Sequence, residues 1–103
     1  MSLDDVLREA AADLDDVDAT EDAAGSVSWS RAGRPFATLS GDGTAAEFAL
    51  DPAIAAAAAR TPDVALSERG PGWVRFRPAI ADEHALDRAE AWLESAHRRA
   101  GQG

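Results

Sequence analysis

Between Gly25 and Leu50 the chain reads GSVSWSRAGRPFATLSGDGTAAEFAL, three short strand-like runs separated by two glycine turns. Val27 and Trp29 alternate with Ser26, Ser28 and Ser30, and this period of two gives a strand one apolar and one hydroxyl face. Ala32 and Gly33 turn the chain, Phe36 to Leu39 runs back, and Gly41, Asp42 and Gly43 turn it again. Ala46, Phe48 and Leu50 then alternate about Glu47. An antiparallel meander follows, and whatever flanks it must cover its apolar face.

The flanks read as helices. Ser2 with Asp5 three residues later is a capping-box start, and Leu3, Val6, Leu7, Ala10, Leu14 and Val17 recur at steps of three and four that predict one buried stripe. This helix is expected to end near Asp15, leaving Asp15 to Gly25 as a mobile acidic connection. Asp51 and Pro52 open a second helix, Ala53 to Arg60, which Thr61 and Pro62 stop. Its alanines predict close packing on the sheet, with Ile54 as the large anchor. Asp63 to Leu66 reads as a fourth strand with Val64 and Leu66 inward, and Arg69, Gly70, Pro71 and Gly72 as a tight turn. In the fifth strand, Trp73 to Arg77, Val74 and Phe76 share one face, and Trp73, Arg75 and Arg77 the other. Asp82 caps the last helix, in which Ala85, Leu86, Ala89, Trp92, Leu93 and Ala96 form the apolar stripe. The order α-β-β-β-α-β-β-α predicts an α+β two-layer sandwich, an antiparallel sheet covered by helices. At 103 residues it is one domain.

Composition narrows the chemistry. There is no cysteine, which removes disulfides, thiol nucleophiles and most structural zinc sites. The first residues carry acids where a signal peptide needs basic residues and an apolar run, and no stretch approaches a membrane span. The expectation is a cytoplasmic protein without a membrane partner. Formal charge is -9, from 19 acids and 10 basic residues, and every basic residue is arginine. Residues 1 to 25 hold nine acids against Arg8, whereas residues 26 to 80 hold five acids and six arginines. The charge therefore sits on the first helix and the connection after it.

No catalytic motif appears. Gly41, Asp42 and Gly43 match no phosphate-binding fingerprint, and a chain without lysine has no P-loop lysine. His84 and His97, thirteen positions apart on one helix, face opposite sides at about 100° per residue. His97 reads as a complement to the helix C-terminus and His84 as a solvated first-turn residue. The expectation is a non-enzyme without a cofactor.

Gly25, Trp29, the run Gly33-Arg34-Pro35-Phe36-Ala37, Trp73 and Val74 after Arg69 and Gly70, and Ala91-Trp92 together resemble the MmcQ/YjbR family of small bacterial proteins. The resemblance implies a frataxin-like or secretion-chaperone-like sandwich, and the family is commonly labelled DNA-binding. On that expectation Arg31, Arg34, Arg69, Arg75 and Arg77 are candidates for phosphate contact, with Trp73 available for stacking. Two other partners stay open. Frataxin-like proteins carry a metal-binding acidic helix, which makes Asp4, Asp5, Glu9, Asp13 and Asp16 candidate metal ligands. The third reading is a protein-interaction module or homodimer, whose sign would be an exposed Trp29 or Trp73.

Overall fold

A computed structural model describes residues 1–102. These residues fold as three helices and one antiparallel six-stranded sheet. In chain order these are α1 (Leu3–Ala12), β1 (Val17–Glu21), β2 (Val27–Arg31), β3 (Arg34–Leu39), β4 (Ala46–Ala49), α2 (Pro52–Ala58), β5 (Val64–Leu66), β6 (Trp73–Phe76) and α3 (Glu83–Ala100). The spatial order β1-β2-β3-β4-β6-β5 makes the predicted meander the centre of the sheet. It also adds a strand the sequence pattern did not predict. The acidic connection contains β1, paired along its length with β2 from Val17–Arg31 to Glu21–Val27. Only Val17 of its five residues is even half-buried, so backbone hydrogen bonding rather than side-chain burial makes it a strand.

Local chemistry sets the element ends. The Ser2 hydroxyl accepts from the Asp5 N–H, and the Asp5 carboxylate accepts in return from Ser2, completing the capping box. Asp51 and Asp82 cap α2 and α3 through Ala53 and Ala85. Ala32 and Gly33 both have positive φ, 51° and 78°, the two-residue hairpin turn whose twist matches the strands. A Cβ on Gly41 would lie 2.3 Å from the Ala24 carbonyl oxygen, so this turn tolerates only glycine at its contact with the loop before β2.

The core lies between one face of the sheet and the helices. Val27, Trp29, Leu39, Phe48, Val74 and Phe76 point into it, joined by Leu3, Leu7 and Leu93. A β-bulge at Trp29/Ser30 decides the course of β3. Trp29 pairs with Ala37 and Ser30 with Pro35, so Phe36 is the extra residue, and it turns inward with Ala37 rather than outward. Its ring meets the His97 imidazole edge-on at 5.5 Å. Trp92 packs across Phe48 and Phe76 in the same layer.

Ile54, expected as an anchor, and Leu66, expected to face inward, both lie outside the core. Ile54 is 42% exposed, and Ala55 and Ala58 are the buried residues of α2. A side chain no larger than a methyl lets that helix approach the sheet near β6, and Ile54 is turned to its far side. Leu66 is 69% exposed because β5 is the outermost strand, three residues long, with no further strand beyond it. Among the described residues no helix is long and apolar enough to cross a membrane.

Candidate binding face

Alternation along the strands leaves the second face of the sheet without a helix. Register places Thr20, Ser28, Thr38, Glu47, Arg75 and Ala65 in one row across all six strands. Neighbouring members stand about 4.8 Å apart in the hydrogen-bonding direction. The row floors a shallow trough of about 460 Å³, which Ser26, Ser40 and Arg69 also line. Hydroxyls occupy its β1–β3 side and the charged Glu47, Arg69 and Arg75 its β4–β6 side.

Glu47 is the centre of the charged half. It accepts from the Thr38 hydroxyl at 3.2 Å, from the Arg69 Nε–H at 2.7 Å, and from the Ser67 hydroxyl. Partial burial opposes its ionisation, but donation from Ser67, Arg69 and Thr38 outweighs that, and the carboxyl titrates below its ordinary value. The Arg69 guanidinium in turn lies 5.6 Å from the centre of the half-buried Trp73 ring. A carboxylate with a lowered folded-state pKa contributes stability that is present above its unfolded pKa and lost as pH falls through its folded one. Melting curves of wild type and Glu47→Gln between pH 7 and pH 3 should therefore converge on acidification, the wild type losing its advantage below the ordinary glutamate range.

Arg75 is exposed beside Glu47 and forms no ion pair among the described residues. Arg77 follows β6, and its charge reaches Asp42 in the β3–β4 turn. Asp42 is held at a pKa of about 2 chiefly by the Ser40 hydroxyl, then by the hydroxyl and N–H of Thr44. Of the arginines singled out from the sequence, Arg69, Arg75 and Arg77 therefore gather with Trp73 at one end of the open face.

Arg31 and Arg34 do not join them. They pair with each other at the end of the β2–β3 hairpin, and Arg31 shares the helix-side face with Val27 and Trp29. Its guanidinium donates to the His97 carbonyl at 3.0 Å, capping the end of α3. His97 itself is buried, a placement beyond the helix-end role read from its position. Its Nε2–H donates to the Asp15 carbonyl at 2.6 Å, the only polarity a carbonyl permits. Its Nδ1 lies 3.4 Å from Arg31. This one ring ties α3, β2 and the α1–β1 loop together. His84 is exposed, as expected.

The acidic candidates are likewise dispersed. Asp5 is engaged in its capping box, Asp4 pairs with Arg8, and Arg8 reaches on to Glu21 at 2.9 Å. Glu9 is exposed on α1, Asp13 is exposed at its C-cap, and Asp16 occupies the following turn with φ 58°. Among the described residues no three acidic or histidine side chains come together in a group that could hold a metal ion. Trp29 is buried, at 3% exposure, so of the two tryptophans that would mark an interaction surface only Trp73 reaches the open face. Compared with protein-family models, with curated proteins and with solved structures, the chain matches none.

Proposed function

We propose that this chain is a non-catalytic cytoplasmic binding domain of the MmcQ/YjbR type, and that its ligand is a nucleic-acid strand lying on the open sheet face along β6. The observation that carries the reading is the line of Arg69, Trp73, Arg75 and Arg77 on a sheet face that no helix covers. Sheet faces of this kind bind unpaired strands by combining cations for phosphates with a π-surface for bases. Here Arg75 and Arg77 are cations that form no ion pair among the described residues, and Arg69 lies over the Trp73 ring. The hydroxyls of Thr20, Ser28 and Thr38 continue the face with neutral donors and acceptors.

The electrostatics confine the interaction to this patch. Nine acids in the first 25 residues repel phosphates, a repulsion largely screened beyond a Debye length of about 8 Å, and Glu47 and Asp42 offset part of the arginine charge. The expected affinity is modest and strongly salt-dependent. Residue-resolved NMR with a short single-stranded oligonucleotide at low salt tests the location. Amide shifts should concentrate on Glu47, Ser67 to Arg77, and neighbouring Thr38. Shifts centred on α1 and α3, or none at all, would refute the assignment.

A further inference from the structure

The opposite layer carries a second surface, along the seam where α1 lies beside α3. Glu83, Asp87, Glu90 and Glu94 follow one another on α3 at steps of four, three and four. At about 100° per residue they form a single stripe about 16 Å long. Among the described residues none of the four forms an ion pair. Like charges at this spacing destabilise a helix by a few tenths of a kcal/mol per pair, roughly, so the stripe works against the free domain. Beside it runs an apolar floor. Val6 and Leu86 line one hollow of about 430 Å³ together with Glu83, Asp87 and Glu90. Ala10 and Leu14 line the next, of about 350 Å³, with Asp13, Glu90 and Glu94, and Arg98 closes its far end. Glu90 belongs to both, so the two hollows form one groove with a carboxylate rim on the α3 side.

We infer that this groove docks a basic amphipathic helix of another protein, about three turns long, with apolar residues on the Val6–Leu86 floor and arginine or lysine facing the α3 stripe. Charge complementarity selects the occupant: a cationic helix relieves the repulsion among the four carboxylates while burying the apolar floor. A second copy of this chain cannot supply it. Its α1 carries one arginine among acids and its α2 none; α3 carries Arg88, Arg98 and Arg99, but its apolar residues Ala85, Ala89, Leu93 and Ala96 are buried in its own core and cannot be offered to another molecule.

The test is fluorescence anisotropy at low salt with a labelled designed peptide of leucine and arginine, patterned as an amphipathic helix. Two control peptides accompany it, one with every leucine replaced by serine and one with every arginine replaced by glutamate. The first peptide should bind saturably, and both controls should bind at least tenfold more weakly. The triple variant Glu83→Gln, Asp87→Asn, Glu90→Gln leaves the Asp82 cap intact and should lose at least tenfold in affinity for the first peptide. Absence of saturable binding, equal binding of the serine control, or unchanged affinity in the triple variant would each overturn the proposal. The peptide controls are read on the wild-type protein and so do not depend on the variant folding.

Discussion

Replacing Phe36 by alanine is expected to destabilise the domain by about 3 to 5 kcal/mol. Phe36 is fully buried, and the bulge turns its ring inward in a strand where strict alternation would turn it out. It also supports His97, whose imidazole stands edge-on to it and holds both the α1–β1 loop and the Arg31 end of β2. Truncation therefore leaves a cavity and frees a buried polar ring at the same time. Set against a typical stability of about 5 to 15 kcal/mol, this is enough to unfold a substantial fraction of molecules. The melting temperature should fall by at least about 12 °C, at about 4 °C or more per kcal/mol. Phe36→Leu, which keeps most of the volume, should cost under about 1.5 kcal/mol. Urea unfolding measures both, and a loss below about 1 kcal/mol for the alanine variant would contradict the packing described for the bulge.

The second large effect concerns binding. Reversing Arg75 and Arg77 to glutamate should weaken binding of a single-stranded oligonucleotide by at least about 100-fold at low salt, because hydrogen bonds to charged groups contribute about 1.5 to 3 kcal/mol each. Both side chains are exposed, and Arg75 makes no ion pair among the described residues, so stability should change little. Reversal at Arg31 would act differently. That residue caps α3 from the helix side of the sheet, and its loss should lower stability while leaving the binding face in place.

The contrast between Arg31 and Arg75 shows what the sequence made legible. Strand alternation separates Val74 and Phe76 from Trp73, Arg75 and Arg77, and the structure keeps that division. The same alternation places Arg31 with Val27 and Trp29, on the covered face, although residue type alone groups it with the other arginines. The caps at Ser2, Asp51 and Asp82 and the stripe of α3 were equally readable, because each is a local pattern.

What escaped was settled over long sequence distances. β1 has no apolar alternation, and its identity comes from pairing with β2. Phe36 turns inward through a register shift that no composition reveals. Glu47 could be placed on the open face by its alternation with Ala46 and Phe48. The bonds that fix its carboxylate come from Ser67 and Arg69, twenty and twenty-two residues on. The burial of His97 depends on an Asp15 carbonyl eighty-two residues away, so its position in the sequence predicts only its place at the helix end.

The open face is tested most directly by fluorescence anisotropy of a labelled single-stranded oligonucleotide across a salt series, wild type against Arg75→Glu/Arg77→Glu. With Arg75 and Arg77 each meeting one phosphate, log affinity should fall with log salt at a slope of about -1.4, from about -0.7 per contact. The double variant should show a slope shallower than about -1 and far weaker binding. No wild-type binding at low salt, or equal affinity in the two proteins, would contradict the assignment.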